Sequence, residues 1–362
     1  MRILSKYVLR EFFRMFAVAL SAFVLLFMLG DFIEKVDEYM SHSASAWTVV
    51  RYMLYRLPNT IFLMTPIAVL LATLMSIGML SKNGEVLAMK SSGIPLYRIV
   101  APVFTVAVAL SLVIFWANDT VIPYCNMKAE FIKNVYIEKK PAIPVIKHDR
   151  IWFRGPKGEI INIGLVEFKG DMPVCRGVTF YELDSSFGLA RRLDAKQMVW
   201  SGDKWVLEKG VSYDFRDPHG MKMARFDSLP VDIPEKPADF RQVRRFSEEM
   251  TFSELLAYIS RLKAEGYSPV KYEVDLHGKV SFTLANIIMV IVAIPFSLKT
   301  SRSGGMAIGV GICIAIAISY WLLYSFSISL GHAGRFPPIF AAWVANLIFG
   351  FSGLYLFVHT DR

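Results

Sequence analysis

Few residues in this chain are arranged for bond-making chemistry. The GxxxxGKS/T loop that cradles nucleotide phosphates is absent, and so are GxSxG, HExxH and GxGxxG, so no Walker-type ATP site is encoded. Six histidines build no triad and no ligand spacing, and neither a metal nor a cofactor is expected. One pair stands out, His277 with Asp275, which fits a membrane-embedded transferase or, more plainly, a loop histidine with its hydrogen bonds satisfied. The cysteines Cys125, Cys175 and Cys313 contain no CxxC and make neither a disulfide framework nor a thiolate metal site. Cys313 lies in an apolar run as inert packing. Cys125 and Cys175 fall in the central polar region, either as two free thiols or as a pair in an oxidising compartment.

Residues suited to recognition say more. The run Ser81-Lys82-Asn83-Gly84-Glu85-Val86-Leu87-Ala88-Met89-Lys90-Ser91-Ser92-Gly93-Ile94-Pro95 opens on capping residues, continues through helix formers and stops at Gly93 ahead of Pro95. It predicts a short helix over about 83–93. Val86, Met89 and Lys90 share a face, with Glu85 beside Met89 on the adjoining one. Such a helix can dock in a partner's groove with Glu85 against a basic residue, or serve as an interfacial connector. Farther toward the N-terminus, Asp31, Glu34, Lys35 and Glu38 lie at helical spacing, and Asp31 with Lys35 makes an i,i+4 pair. Lys35 either snorkels at a bilayer edge or meets the phosphate of a lipid headgroup.

The elements that must position these residues are mostly apolar. Of 362 residues, 54% are hydrophobic, and the mean hydropathy is +0.42, more apolar than an ordinary soluble domain. Five stretches approach the roughly 20 residues a span requires and contain no Asp, Glu, Lys or Arg: Thr60 to Leu80, Ile99 to Ala117, Val280 to Leu298, Met306 to Leu330 and Phe336 to Val358. A sixth, weaker run from Met15 to Gly30 follows a basic N-terminus, lacks a small-residue cleavage site and reads as a retained signal anchor. Trp116, Tyr124, Trp321 and Tyr324 near the run ends fit interfacial anchors or ordinary core aromatics. A net charge of +9 sits beside these runs, without an aromatic RNP-type motif, zinc spacing or dense basic tract, which argues against nucleic-acid binding.

Short-loop charge sets orientation. One side carries Arg2, Lys6, Arg10, Arg14, Lys82, Lys90, Arg98, Lys299, Arg302 and Arg362; the other side's short connections carry Lys35, Arg51, Arg56 and Arg335. Both termini are expected in the cytoplasm and the central insert outside.

The layout is three spans in 1–122, an inserted β-rich domain in 123–250, a connecting helix in 251–269 and three spans in 270–362. No internal repeat is visible. In the insert, Ile151 to Phe153 and Ile160 to Ile163 flank Gly155-Pro156-Lys157-Gly158, and Met198 to Trp200 and Trp205 to Leu207 flank Ser201-Gly202-Asp203, two hairpins. With strands at Val178 to Leu183 and Val211 to Phe215, a sandwich or jelly roll is favoured, broken by Pro230, Pro234 and Pro237. Leu255, Leu256, Ile259 and Leu262 then describe one helix face, ending at Gly266 before Pro269.

Two segments carry a family resemblance. Met250-Thr251-Phe252-Ser253-Glu254-Leu255-Leu256 with Gly266, Tyr272 to Lys279 and Ala293-Ile294-Pro295-Phe296 resemble the LptF/LptG permeases (YjgP/YjgQ family) of the lipopolysaccharide exporter, and so does Gly84 to Gly93. The likeness spans essentially the whole chain and leans toward LptG over LptF. It implies a bacterial inner-membrane protein of six transmembrane helices with an inserted periplasmic β-jelly-roll. The subunit would itself be noncatalytic, paired with a paralogous LptF-like permease on two copies of an LptB-like cytoplasmic ABC ATPase. Lipopolysaccharide would leave the outer leaflet through the cavity between the permeases and pass to LptC/LptA-like jelly-roll proteins. Glu85, with Val86, Met89 and Lys90, matches the helix that couples to the ATPase. Leu20 to Val36 and Met306 to Leu330 match the lateral-gate helices. Where LptG-type members cluster basic residues at the outer end of the first helix, this chain has Glu34, Lys35, Asp37 and Glu38, which leaves Lys35, with Arg51 and Arg56 as substitutes, for a lipid phosphate. Two other readings remain open: a mechanotransmitting or signalling membrane protein that engages an extracytoplasmic partner, and a lipid-modifying enzyme.

Overall fold

The computed structural model describes residues 2–139, 146–147, 150–155, 159–169, 172–184, 188–216, 221–233, 237, 247–264, 268–303 and 306–360. The turn residues Pro156, Lys157 and Gly158, the breakers Pro234 and Gly266, and Arg362 lie outside them. The chain forms two compact units, Met1–Glu138 with Phe246–Arg362, and Lys139–Arg245.

The first unit contains helices α1 (Arg2–Ser41), α2 (Ala46–Lys82), α3 (Glu85–Ser91), α4 (Leu96–Phe131), α5 (Phe252–Ala264), α6 (Val270–Ser303), α7 (Met306–His332) and α8 (Pro338–Thr360). All except α3 and α5 are long and apolar enough to cross a bilayer, giving six spans in a multi-pass membrane protein. Several run beyond their apolar stretch: α2 begins at Ala46, not Thr60, and α6 at Val270, not Val280. Hydropathy marks only the part that needs lipid, whereas helical hydrogen bonding continues wherever packing supports it. Helix α4 passes through Pro123 and Cys125, both assigned by sequence to the insert, and ends in a wider π-type turn, Ile132–Ile137. A proline inside a spanning helix is tolerated because neighbouring groups re-satisfy the freed backbone. The sheet-bearing unit therefore opens at Lys139 rather than 123. The projecting ends of α1, α2 and α4 share a small core of Tyr39, Val49, Tyr52, Ala129, Ile132 and Ile137.

Helices α2 and α6 form the centre, with 61% and 67% of their most apolar windows buried, against 11% for α1. Small residues bring the backbones together: a Cβ added at Gly353 of α8 would lie 3.1 Å from the Val292 nitrogen of α6. A buried relay fixes three helices, with the Tyr320 hydroxyl donating to Asn346 Oδ1 at 2.8 Å and Asn346 Nδ2 donating to the Ser281 carbonyl at 2.6 Å. Helix α5 opens on a capping box, in which the Glu254 N–H donates to Thr251 Oγ1 (3.2 Å) and the Thr251 N–H to Glu254 Oε2 (3.0 Å). It buries Leu255, Ile259 and Leu262 but leaves Leu256, expected on the same face, exposed.

The second unit is an antiparallel sheet of β1 (Ile146–Lys147), β2 (Arg150–Arg154), β3 (Ile160–Lys169), β4 (Met172–Leu183), β5 (Leu189–Trp200), β6 (Trp205–Asp214) and β7 (Lys222–Val231), in sequential order. Both predicted hairpins are present: Phe153 pairs with Ile161, and Trp200 pairs with Trp205 across a turn closed by the Ser201 N–H to the Lys204 carbonyl at 2.9 Å. Pro230 does not break the sheet. It sits within β7, the last strand in the order, where a missing donor can face away from the ladder.

One line crosses the sheet. The β3–β4, β5–β6 and β6–β7 ladders keep constant register, as β4–β5 does up to a shift between Glu182 and Leu183, but each skips one pair, at Gly164/Gly177, Gly177/Lys196, Lys196/Lys209 and Lys209/Asp227. The inward phase flips there, from Cys175 to Val178 in β4, Ala195 to Met198 in β5 and Leu207 to Gly210 in β6. Gly177 (φ +62°) and Lys209 (φ +53°) take left-handed backbone to make the flip. The sheet is thereby creased, and its inner face packs on itself: Phe180 and Leu193 on one side join Cys175, Met198, Trp205 and Leu207 on the other in one buried cluster.

Candidate functional site

Three groups of residues in the membrane unit carry recognisable chemistry. The first is α3. Gly84 (φ +76°) lets the chain turn from α2 into α3, and Gly93 (φ +81°) ends it in a Schellman arrangement, with Gly93 N–H to the Lys90 carbonyl and Ile94 N–H to the Met89 carbonyl, both at 3.0 Å. The predicted binding face divides. Val86 is buried in the same cluster as Phe12, Leu80 and Leu96, and Met89 packs against it. Leu87 is 67% exposed, and Ala88, Lys90 and Ser91 also face outward. Glu85 lies between these faces, accepting hydrogen bonds from the Tyr7 hydroxyl at 3.3 Å and Asn83 Nδ2 at 3.2 Å.

The second group lies at the far end of α1. Lys35 Nζ stands 2.6 Å from Asp31 Oδ1, donates to the Tyr52 hydroxyl at 3.2 Å and sits 5.5 Å from the Tyr52 ring centre. Arg56 approaches the same Asp31 oxygen at 3.7 Å. Two of the three expected headgroup cations are therefore held by one carboxylate of their own chain. Arg51 is exposed, with no ion pair among the described residues.

The third group went unrecognised in the sequence. A cavity of about 430 Å³ opens between α2, α4, α6 and α7. On its wall Asp275 accepts a hydrogen bond from Ser247 Oγ at 2.6 Å and contacts His332 Nε2 at 2.7 Å. The histidine partner of Asp275 is thus His332 and not His277, because residues two apart on a helix face opposite ways. Lys279, one turn along α6, lines the same space with Arg56, Asn118 and Tyr324. The cavity wall also includes Trp321, which borders a neighbouring apolar slot of about 260 Å³ formed by Ile67, Ala317, Ile318 and Leu322. Trp321 and Tyr324 therefore line internal space, whereas Trp116 and Tyr124 are exposed as interfacial anchors would be. The cavity thus sets charged and polar groups beside apolar side chains, and the groove next to it is apolar, so the two together offer both kinds of surface an amphiphile presents. Among the described residues no cluster of ligating side chains could hold a metal ion.

The sequence signal for this site is the presence of Asp275, Lys279 and His332 at the ends of otherwise apolar helices, since ionisable groups there need partners. The partners themselves are 28 and 57 residues away in sequence.

Residues 6–359 match the model of the lipopolysaccharide export system permease family, LptF/LptG. The chain belongs to this family. Among LptF/LptG relatives, it is 20% identical over 361 residues to the lipopolysaccharide export system permease protein LptG of Escherichia coli K12, covering 98% of this chain and 97% of that protein. It is 21% identical over 351 residues to the LptG of Haemophilus influenzae, covering 96% and 95% respectively. An uncharacterised protein of Rickettsia prowazekii, RP871, is 22% identical over 325 residues, with 84% of each chain covered. LptF/LptG membership accounts for the six spans and the inserted sheet, and it marks the chain as a transport subunit.

Proposed function

We propose that this chain is the LptG-like, noncatalytic permease subunit of an ABC-type exporter that draws lipopolysaccharide from the outer leaflet of the inner membrane and passes it to a periplasmic bridge of β-jelly-roll proteins. The observation that carries this reading is the match of residues 6–359 to the LptF/LptG permease family, and a cavity with charged groups on one wall, bordering an apolar groove at Trp321, is compatible with an amphiphilic cargo. Removing acyl chains from a leaflet costs about 0.8 kcal/mol per CH₂ unless apolar surface receives them, and the groove supplies part of that surface.

In this reading both termini and α3 are cytoplasmic, and the sheet unit is periplasmic. The exposed face of α3 docks an LptB-like ATPase dimer, with Glu85 and Lys90 at its edge and Val86 and Met89 anchoring it to the permease core. An LptF-like paralogue completes the cavity, and LptC- and LptA-like proteins receive the lipid. Lipid phosphate is met first by Arg51; Lys35 and Arg56 join when phosphate displaces Asp31.

Depletion of the chain in its host should leave newly made lipopolysaccharide in the inner membrane. Wild-type chain should restore surface delivery, while Glu85→Arg should neither restore it nor co-purify the ATPase. Normal surface delivery under depletion would overturn the reading.

A further inference from the structure

Six residues, 247–252, bring the chain back into the membrane unit, starting two positions after the sheet unit ends at Arg245. Three side chains pin this return segment. Asn126 Nδ2 donates to the Glu248 carbonyl at 3.4 Å, and the Phe252 N–H donates to Asp119 Oδ1, so two pins come from α4. Met250 is buried beneath them with Leu255, Ile259 and Leu276. The third pin differs in kind. Ser247 Oγ donates to Asp275 Oδ2 at 2.6 Å, while the other oxygen of that carboxylate, Oδ1, lies 2.7 Å from Nε2 of His332, the last residue of α7. Both contacts are short, as charge-assisted hydrogen bonds are, and each carboxylate oxygen has its own partner. Arg56 on α2, Lys279 on α6, Glu248 on the return segment and Tyr324 on α7 line the same cavity. None of them makes an ion pair with Asp275 among the described residues.

We propose that Asp275 is a positioning residue that locks the end of α7 to the return segment, so that α7 cannot shift at this end without loosening the chain that leads back from the sheet. Each partner holds the carboxylate in the orientation the other needs. Loss of one contact frees the carboxylate to rotate and weakens the contact opposite. The coupling is carried by one side chain that three elements share, and it stands whether or not the transported lipid is lipopolysaccharide.

Hydrogen exchange on the purified full chain in lipid nanodiscs tests this. In His332→Ala the amides of Met250 and Phe252 should exchange roughly tenfold faster, the effect of one lost charge-assisted hydrogen bond, although His332 touches neither residue. His332→Gln, which restores a side-chain N–H donor, should return the rate toward wild type. In an Asp275→Ala background, which removes both contacts, His332→Ala should add nothing further. Ser247→Ala, the mildest lesion, reports in reverse by speeding exchange at 329–335. Acceleration confined to the turn around each substituted residue, or full additivity of His332→Ala with Asp275→Ala, would overturn the proposal.

Discussion

Lys209 holds left-handed backbone at φ +53° in the interior of β6, where the sheet creases, and Gly177 does the same work on β4 without a Cβ. A lysine there costs about 1–2 kcal/mol of local strain, and glycine removes it at an entropic cost of about 0.5–1 kcal/mol. Lys209→Gly should therefore raise the stability of the sheet by about 0.5–1 kcal/mol, read from thermal unfolding followed by tryptophan fluorescence. A second residue contributes a pH dependence. The side chain and backbone N–H of Arg216 hold the Asp214 carboxyl well below the usual carboxylate range, with Arg216 Nη2 at 2.7 Å. The folded-state value is depressed, so the pairing's contribution is fully present above the unfolded value of about 4 and is lost as pH falls through the folded one. The melting difference between wild type and Asp214→Asn should be flat above about pH 5 and shrink toward zero below about pH 4, measured by melts across that range. Burial pushes the Cys175 thiol well above its ordinary value, which makes it inert to thiol reagents in the folded sheet.

At the scale of elements, α3 shows what periodicity reads well and what it misses. Its presence and its exit at Gly93 were legible because the Schellman hydrogen bonds are local events, although it is shorter than expected, Glu85–Ser91, and opens at Gly84 without a side-chain cap. The direction of its face was not, because which side is buried depends on α1, α2 and α4 arriving from elsewhere in the chain. Val86 and Leu87 therefore make opposite predictions. Val86→Asp places a charge in the core beside Phe12 and Leu96 and should cost several kcal/mol, seen as loss of folded protein. Leu87→Asp, on the exposed side, should leave the fold intact and abolish co-purification of the ATPase. If both variants retain the partner, docking does not use this helix. The sheet divides similarly: turn residues announced two hairpins, but the crease is a row of positions from five strands whose alignment exists only after pairing.

For the whole molecule, the six spans were visible because lipid demands uninterrupted apolar length, and that demand is written locally. The extents of the helices were not, since Pro123 looks like an ending when read alone and becomes a tolerated interior residue once helices surround it. The Asp275 junction stayed hidden for the same reason, its partners lying 28 residues before it and 57 residues after it. Arg51, Lys35 and Arg56 were all visible as cations, but only packing distinguishes the exposed one from the two that share Asp31.

The central pairing of α2 with α6 also has a consequence in time. At about 5–20 residues per second, a ribosome takes roughly 10–40 s to travel from Lys82 to Val270, and during that interval α2 lies in the bilayer without the helix that will cover it. Its buried hydroxyls are equipped for the wait: Thr60, Thr65, Thr73 and Ser76 each donate to a carbonyl of α2 itself, so none depends on a neighbour that has not yet been made. Asn346 cannot satisfy itself in this way, and it is placed in the last helix, after its partners Ser281 and Tyr320 have been synthesised. A chain stopped after residue 138 should accordingly remain inserted through a one-minute chase, and Thr73→Asn should shorten its lifetime, measured by pulse labelling. For these five residues, Thr60, Thr65, Thr73, Ser76 and Asn346, each partner named is either in the same helix or already made when the residue emerges.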